Sequence, residues 1–339
     1  MSQRFQYERC DQGANHVGHI PFLFHILGRR RRSLQGRIMS APLQVLVCGA
    51  NGFIGGRVVE ALLQAGHRVT CGTTQRRRTD LPHLAIDFCI DTSANTWRPR
   101  LQGFDTVVNA IGVLRDGARR PMEAVQHKSP AALFEACAQV GVKRIVQMSA
   151  LGIGASDADN ATAYARTKRA AEAALHALPA TGPSWVALRP SVVLGPGGDA
   201  MALFSNLARL PVLAMPGSAL DARVQPVYVD DLARAIAVLA DPASPHRGVI
   251  EFGGARAMTL QELIATLRAA RTPRRPARVL RLPGWTGALS ARVGDLLPFL
   301  PWCTDTRTML ERDSVASNTP LAEWLGRAPR DLRDFAATT

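Results

Sequence analysis

From residue 43 onward, short apolar runs alternate with longer segments of helical period. The runs are rich in β-branched residues and are bounded by Gly, Pro, Asn or Asp, a pattern typical of buried strands. This alternation predicts an α/β fold, with a doubly wound parallel sheet covered by helices on both faces. The strands predicted for the sheet are Gln44–Cys48, His67–Cys71, Ala85–Ile90, Thr106–Ala110, Arg144–Met148 and Trp185–Leu188.

The segments between these runs predict helices. Ile54–Ala65 places apolar residues on one face and stops at Gly66, a typical glycine after a helix end. A second helix should end near Val140, and Ser129-Pro130 indicates either its N-cap and first residue or a kink. A third is predicted over Ala161–Leu178, before Pro179.

After Pro190 the pattern loosens, which predicts a smaller, mostly helical C-terminal lobe. Pro211–Arg223 is expected to be mostly turns, and Thr259-Leu-Gln-Glu262 is a capping box that should start a helix. The other predicted elements are a helix at Met201–Arg209, a strand at Val224–Val229, a helix at Asp230–Leu239 and a strand at Val249–Phe252. The predicted domains are a disordered extension at 1–40, a Rossmann domain at 41–198 with 224–255 added, and a substrate lobe at 199–223 and 256–339.

No apolar run reaches the roughly 18 residues that a membrane-spanning helix needs. Ile20–Leu27 is too short, and Trp285–Leu300 is amphipathic and contains Arg292 and Asp295. The six cysteines are scattered and form no CxxC pair, which argues against a disulfide framework or a zinc site. We therefore expect a soluble protein in a reducing, cytoplasmic compartment, with the periphery of an inner membrane as the alternative.

The formal net charge of +14 raises the question of nucleic-acid binding. Seven of the arginines lie in residues 1–38, and only Lys128, Lys143 and Lys168 are lysines, a bias typical of GC-rich coding. Basic residues interleaved with aromatic ones, as in single-strand binders, are missing. Nucleic acid is therefore not an expected partner.

The first 38 residues are interpreted as an extension outside the fold or, despite Glu8 and Asp11, as an Arg-rich transit peptide.

A glycine-rich turn, Gly49-Ala-Asn-Gly52-Phe-Ile-Gly55, follows the first strand and opens the first helix. Gly49 would allow the tight turn, Gly52 would let a pyrophosphate approach the backbone, and Gly55 would permit close helix–strand packing. The helix N-terminus offers N–H groups to the phosphates. In this context the motif predicts a dinucleotide site.

The end of the second strand indicates which dinucleotide is bound. An acidic residue there would bond the adenosine 2′-hydroxyl of NAD, but no carboxylate occurs before Asp80. Thr73, Thr74 and Arg76 can instead face a 2′-phosphate. NADP(H) is therefore favoured over NAD(H), with a solvated loop at Arg76–Arg78 as the alternative interpretation.

Tyr164-Ala-Arg-Thr-Lys168 places two reactive side chains one helical turn apart. An ammonium near the phenol would lower its pKa, so that Tyr164 could exchange a proton with a substrate carbonyl or alcohol. Lys168 could also hold the nicotinamide ribose. Ser149, near the end of the fifth strand, is the hydroxyl available as a third catalytic group. An exposed helix face is the alternative interpretation of the pair.

The chain from Met39 to about Phe335 resembles an extended, atypical short-chain dehydrogenase/reductase of the epimerase-like group. It is similar in particular to bacterial relatives of the NADPH-binding accessory subunit of respiratory complex I. The motifs behind this resemblance are Gly49–Gly55, Asn109-Ala-Ile-Gly112, Gly141–Val146, Tyr164–Lys168, Leu188-Arg-Pro-Ser191 and Val227-Tyr-Val-Asp-Asp231-Leu-Ala.

The resemblance implies roles for individual residues. Those implied to line the cofactor are Gly49, Asn51, Phe53 and Ile54 at the pyrophosphate, Asp91 at the adenine, Ala110 and Gly112 at the ribose, and Pro190, Ser191 and Val192 over the nicotinamide. Tyr164 and Lys168 would be the catalytic pair. The sequence also departs from the family, because the usual place of the catalytic Ser/Thr falls on Ala150, one residue after Ser149.

Two functions are therefore compatible with the sequence. The first is an NAD(P)(H)-dependent oxidoreductase that uses the Tyr164–Lys168 pair on an unknown small-molecule substrate. Its pocket would be built from Arg115–Pro121, Pro196–Arg223 and the C-terminal segments. The second is a non-catalytic NADP(H)-binding structural or assembly subunit of a respiratory or quinone-related complex, docked through a protein partner or a membrane surface.

Overall fold

The computed structural model describes residues 41–154, 161–271, 277–296 and 303–336. The extension predicted at 1–40 and the end of Trp285–Leu300 lie outside the described residues. The central feature is a sheet of seven parallel strands. Its strands are β1 (Gln44–Cys48), β2 (Arg68–Thr73), β3 (His83–Ala85), β4 (Thr106–Asn109), β5 (Arg144–Met148), β6 (Ser184–Pro190) and β11 (Gly248–Phe252).

The strand order across the sheet is β11-β6-β5-β4-β1-β2-β3. The chain runs outward from β1 to β2 and β3, then returns to β4 on the other side of β1. This reversal opens a crevice at the carboxyl ends of β1 and β4, where open α/β sheets bind their ligands. The predicted doubly wound Rossmann fold is confirmed.

Helices cover both faces of the sheet, because each buries an apolar stripe against it. Helix α1 (Phe53–Gln64) packs with α7 (Val229–Leu239) on one face, and α3 (Ser129–Val140) with α4 (Ala163–His176) on the other. In α1 the buried positions include Val58, Val59 and Leu62, which share one side of the helix. The helices of this part of the chain are α1 (Phe53–Gln64), α2 (Ala94–Trp97), α3 (Ser129–Val140), α4 (Ala163–His176) and α7 (Val229–Leu239).

Two predictions in this region are wrong. Ala85–Ile90 is not a strand: β3 is the shorter His83–Ala85, and the chain then turns where Ile90 N–H bonds Asp87 O at 3.0 Å. Ser129 is not an N-cap, because a π-helical turn at Ala124–Lys128 leads directly into α3. The Ser129 hydroxyl instead donates to Asp91 O at 2.9 Å.

The C-terminal lobe has more regular structure than predicted. Pro211–Arg223, expected to be mostly turns, forms a strand and a short helix, because Val212–Pro216 pairs in parallel with a strand more than sixty residues later in the chain. The predicted strand Val224–Val229 is split into two short strands. The capping box is confirmed, with Glu262 N–H donating to Thr259 Oγ1 at 3.1 Å and Thr259 N–H to Glu262 Oε2 at 2.8 Å.

The remaining elements complete the lobe and its connection to the sheet. The strands are β7 (Val193–Leu194), β8 (Val212–Pro216), β9 (Arg223–Val224), β10 (Val227–Tyr228), β12 (Met258–Thr259) and β13 (Arg278–Leu282). The helices are α5 (Asp199–Arg209), α6 (Gly217–Asp221), α8 (Leu260–Arg271), α9 (Gly284–Asp295), α10 (Thr304–Leu310), α11 (Thr319–Leu325) and α12 (Leu332–Phe335). Leu321 and Trp324 of α11 pack into the core beside the sheet rather than into the lobe. In the described part of the chain, every helix is too short or too polar to cross a bilayer.

Candidate functional site

The glycine-rich turn joins β1 to α1 at the crevice. Gly49 has φ +84°, and its N–H donates to Gly72 O at 2.9 Å, which ties the turn to β2. A Cβ at Gly55 would lie 2.1 Å from Gly49 O, so a side chain cannot be accommodated between helix and strand. Gly52 is the N-cap of α1 and supplies no side-chain cap. The first turn of α1 is therefore not capped by a side chain, as an anion-binding helix end requires.

Asn51, Phe53 and Ile54, also predicted at the pyrophosphate, have distinct positions around this turn. The Asn51 amide donates to Gln75 O at 2.9 Å and links the turn to the loop after β2. Phe53 packs against Gly198, where a Cβ would lie 2.7 Å from the ring. Ile54 is partly buried against both the sheet core and the lobe core. These contacts fix the walls of the predicted phosphate site.

The loop after β2 has no carboxylate within reach of a ribose at the strand end. Thr73 is buried and its hydroxyl donates to Gln75 O at 2.8 Å, whereas Thr74 and Arg76 are exposed. The Arg76 guanidinium donates to Thr79 O at 3.1 Å, which holds it on its own loop. Arg78 is neutralised by Glu60 and Asp80. Arg76 is therefore better placed than Arg78 to meet a 2′-phosphate.

Asp91, predicted near the adenine, has other partners in the structure. Its carboxylate is buried and accepts hydrogen bonds from Asp87 N–H at 2.7 Å and from Arg100 at 2.8 Å. Asp91 thus holds the loop after β3 together. Asp87, two residues beyond the end of β3, was missed by the sequence interpretation because that strand was predicted to continue to Ile90. The Asp87 carboxylate accepts a hydrogen bond from Cys89 N–H at 2.9 Å and has no arginine partner among the described residues.

The predicted ribose residues follow β4. Asn109 is buried, and its amide donates to Gln147 on β5 at 2.8 Å. Ala110 and Gly112 continue the chain beyond the strand end. A Cβ at Gly112 would lie 3.5 Å from Lys168 Nζ and 3.3 Å from Gln126 Oε1. The structure therefore brings Gly112 and Lys168 together, although 56 positions separate them in the sequence.

Tyr164 and Lys168 lie one turn apart on α4, as predicted. The Lys168 Nζ atom is 5.9 Å from the centre of the Tyr164 ring and donates to Met148 O at 2.9 Å. The expectation of a lowered phenol pKa is wrong for this structure, because burial raises the pKa of Tyr164 to about 12. Burial lowers the pKa of Lys168 to about 8, and the Glu172 carboxylate opposes that shift. Tyr164 is therefore a protonated phenol at neutral pH.

Ser149 lies beside this pair, but its hydroxyl faces another group. It donates to Glu172 Oε1 at 2.6 Å, and Glu172 accepts two further bonds from Arg189, of 2.9 and 2.6 Å. Arg189 also bonds Glu251 at 2.8 Å. Ser149, Glu172 and the polar end of Arg189 are almost fully enclosed. The sequence interpretation missed this network, which begins at Glu172, one helical turn after Lys168 on the same face of α4.

Pro190, Ser191 and Val192, predicted to cover the nicotinamide, link β6 to the lobe. Pro190 O accepts from Leu151 N–H at 3.1 Å, and the Ser191 hydroxyl donates to Ser314 O at 2.6 Å. The Ser191 side chain therefore holds the C-terminal segment. The backbone is tied to its neighbours as well, since Ser191 N–H donates to Phe252 O at 3.0 Å and Val192 O accepts from Val227 N–H at 2.9 Å.

The crevice fits a dinucleotide. Its glycine turn leaves room where side chains would intrude, its helix end lacks a side-chain cap, and its lysine lies beside Gly112. When bound, a nicotinamide dinucleotide supplies hydride donor and acceptor chemistry. Within the described ranges, no cluster of three or more His, Cys, Asp or Glu could hold a metal ion.

Known proteins with similar sequences include two curated relatives. A ceramide reductase from Caulobacter vibrioides is 28% identical over 297 residues, which cover 82% of this chain and 88% of that protein. The rat mitochondrial NADH dehydrogenase [ubiquinone] 1 alpha subcomplex subunit 9 is 26% identical over 309 residues, which cover 88% of this chain and 79% of that protein.

Structural superposition and a family model agree with this sequence similarity. Human epimerase family protein SDR39U1 (isoform 2) with NADPH superposes with a TM-score of 0.66 at 20% identity, covering 87% of this chain and 98% of that one. Structures of the same fold include complexes with NAD as well. The model of the NAD dependent epimerase/dehydratase family matches residues 45–253. Because this match spans more than half of the chain, the protein belongs to that family, as an NAD(P)-binding Rossmann protein of the short-chain dehydrogenase/reductase superfamily.

Proposed function

We propose that this protein is an NADP(H)-dependent oxidoreductase that interconverts a carbonyl and an alcohol. The observation that carries the proposal is the Tyr164–Lys168 pair, in which Lys168 is buried and Tyr164 half-buried. Its lysine lies beside Gly112 at the crevice, and its phenol lies one helical turn away. Burying a lysine with a pKa of about 8 is costly, and such perturbed groups cluster at functional sites.

Tyr164 is the proton donor in this proposal. With a pKa near 12 it stays protonated at neutral pH, so it can donate its proton to a carbonyl oxygen as hydride arrives at the carbon. Lys168 stabilises the phenolate that remains, since a positive charge within a few ångströms favours the ionised form. The hydrogen bond from Lys168 to Met148 O fixes the ammonium at the end of β5.

We assign the substrate to the space bounded by Arg115–Pro121, Pro196–Arg223 and the C-terminal segments. The ceramide reductase relative supports an amphiphilic, lipid-type carbonyl compound as the substrate class.

The nucleotide assignment rests on the loop after β2, which has exposed Thr74 and Arg76 and no acidic side chain at the strand end. Asp87 is assigned to the adenine end of the crevice in preference to Asp91, whose carboxylate is bound by Arg100.

A second candidate is a non-catalytic NADP(H)-binding subunit of a larger respiratory assembly. Two observations favour it. One relative is the mitochondrial NADH dehydrogenase subunit described above, and the hydroxyl of Ser149 is occupied by Glu172. In this case the dinucleotide would stabilise the fold, and Tyr164 would not transfer a proton.

The test is to purify the full chain, identify the nucleotide that it retains and screen NADPH oxidation. The screen would use long-chain ketones, including a ceramide-like ketone, alongside short water-soluble ketones. NADPH-dependent reduction that Tyr164→Phe abolishes is the expected result. Tight NADPH binding without turnover of any ketone in the panel would favour the second candidate, and lack of binding to either dinucleotide would refute both.

A further inference from the structure

The exposed apolar side chains of this protein are concentrated in one part of the C-terminal lobe. Eight of the eleven exposed large hydrophobic residues among the described ones lie on three segments. They are Leu210, Val212, Val279, Leu280, Trp285, Leu289, Val293 and Leu296. The segments adjoin, because β13 pairs with β8 and Gly287 of α9 packs on Pro216 at the end of β8. The three segments therefore lie in one region of the lobe.

Helix α9 and the residue after it provide the most exposed part of this region. Trp285, Leu289, Val293 and Leu296 recur at intervals of four, four and three, which places them on one helical face, the α9 stripe. They are 68%, 57%, 52% and 81% exposed.

The opposite face of α9 is built from small residues. Gly287, Ala291 and Gly294 are its buried positions, and a Cβ at Gly287 would lie 2.6 Å from Pro216 Cγ. The helix thus packs on the lobe through glycine and alanine and turns its large apolar side chains outward. This is the reverse of the usual amphipathic helix of a globular protein. Within the described residues nothing covers the α9 stripe.

Two exposed arginines lie near the α9 stripe. Arg292 lies seven residues after Trp285 and so borders the same face, and Arg278 lies on the adjoining β13. Both are exposed, and neither forms an ion pair with a described residue, whereas nearby Arg281 is held by Asp221. The only acidic residue of α9, Asp295, accepts hydrogen bonds from Thr304. Tryptophan and leucine beside unpaired arginine are typical of helices that lie in the interface of an anionic membrane.

The buried face of α9 contacts the loop that leads to the proposed substrate entrance. Arg115 donates to Gly294 O at 3.2 Å, which joins α9 to the loop that follows Gly112. Gly112 in turn lies beside Lys168. A surface that contacted α9 would therefore lie next to the loop that leads to the Tyr164–Lys168 pair.

We propose that the α9 stripe docks this protein on the surface of a bilayer that contains anionic phospholipid. Trp285, Leu289, Val293 and Leu296 enter the headgroup region, and Arg278 and Arg292 meet the phosphates. The formal net charge of +14 attracts the chain to such a surface before insertion. This inference goes beyond the proposed catalytic function, and lipid binding can be measured with no substrate or nucleotide present.

The experiment is flotation of the full chain with vesicles of phosphatidylcholine, alone or mixed with phosphatidylglycerol. The wild type should float with the mixed vesicles. Leu289→Glu combined with Val293→Glu should lower the ratio of bound to free protein at least about ten-fold, because two apolar anchors are lost. Arg292→Gln should lower it about five-fold at low salt and have little effect at high salt, where the charges are screened.

Matched controls are Ile90→Glu, at a 74% exposed apolar position outside the lobe, and Arg234→Gln, at an exposed position of α7. Both should float like the wild type. Equal loss in Ile90→Glu, or no flotation of the wild type with mixed vesicles, would overturn the proposal. Light scattering that showed a dimer dissociated by the Leu289→Glu, Val293→Glu variant, without vesicle binding, would assign the α9 stripe to a protein interface instead. Circular dichroism would verify that each variant is folded.

Discussion

The hydroxyl of Ser149 donates a 2.6 Å hydrogen bond to Oε1 of Glu172, one helical turn beyond Lys168 on α4. The same carboxylate is held by Arg189 through two hydrogen bonds. This relationship links the end of β5, the proposed catalytic helix and β6 in one buried polar network. It also decides how the role of Ser149 can be tested, because the single O–H that donates to Glu172 cannot donate to a substrate carbonyl at the same time.

Ser149→Ala separates a structural from a catalytic role. If the hydroxyl serves only Glu172, its loss should lower the free energy of unfolding by about 1–3 kcal/mol, because a charged acceptor loses a buried donor. The kcat should then stay close to that of the wild type. Urea unfolding and steady-state kinetics on the same preparation check both values. A large loss of kcat with unchanged stability would instead support the predicted orienting role.

Lys168→Met should stabilise the fold at neutral pH. The folded protein binds the Lys168 proton with a pKa of about 8, against an ordinary value of 10.5, because burial disfavours the charge. Between these values the unfolded chain binds more protons, so the stability of the wild type rises with pH through this window. At pH 7 the variant should gain about 2–3 kcal/mol by this argument, and the gain should vanish above pH 10.5.

Thermal unfolding of wild type and Lys168→Met from pH 7 to pH 11 provides the measurement. Lys143→Met, at an exposed ion pair with Asp105, is the control and should show no such gain at pH 7. A pH-independent difference between wild type and Lys168→Met would show that Lys168 is not a strained buried charge. The gain in stability should be accompanied by loss of turnover, since the group that stabilises the Tyr164 phenolate is removed.

Gly52→Val should abolish dinucleotide binding and keep the fold. A Cβ at Gly52 has a single neighbour within 4 Å, Gly49 O at 3.2 Å, so the fold accepts the side chain if Gly49 O shifts slightly. The side chain then occupies the space at the N-terminus of α1. Isothermal titration calorimetry with NADPH and a thermal melt check the two parts of the prediction. Gly56→Ala, whose Cβ would lie 3.4 Å from Ala50 O, is the control and should keep NADPH affinity. Undiminished affinity in Gly52→Val would place the phosphates elsewhere.

Arg76→Ala should weaken NADPH binding much more than NADH binding. A charge-assisted hydrogen bond to a 2′-phosphate contributes roughly 1.5–3 kcal/mol, so the Kd for NADPH should rise about ten-fold to a hundred-fold. Arg234→Ala is the exposed control and should change neither Kd. Calorimetric titration of both dinucleotides into both variants gives the comparison. An equal change for NADPH and NADH would remove the basis of the NADP(H) assignment.

Tyr164→Phe should lower kcat about 10²–10⁴-fold and leave the NADPH Kd nearly unchanged, because only the phenolic hydroxyl is removed. In the wild type, ionisation of the phenol should not lower the reduction rate below about pH 11, since the pKa of Tyr164 lies near 12. Stopped-flow oxidation of NADPH with a ketone identified in the substrate screen measures both effects. Equal rates for wild type and Tyr164→Phe would exclude Tyr164 as the proton donor.

The order of elements and the glycine turn could be predicted from the sequence because both depend on local rules. Apolar runs bounded by turn residues specify buried strands, and Gly49, Gly52 and Gly55 are demanded by backbone geometry at a strand-to-helix turn. The i,i+4 spacing of Tyr164 and Lys168 likewise needs nothing beyond the period of a helix. These features lie within single segments of chain.

Only the tertiary structure decided how side chains from distant segments share partners. The partners of Asp91, the bond from Ser149 to Glu172 and the raised pKa of Tyr164 arise from neighbours and burial that no local pattern specifies. The strand Val212–Pro216 was missed for the same reason, because its partner Arg278–Leu282 is far away in the sequence. The sequence also did not determine which face of α9 is exposed. The close approach of Gly287 to Pro216 leaves no room for a side chain on that face of the helix, and Trp285 and Leu289 on the opposite face stay exposed.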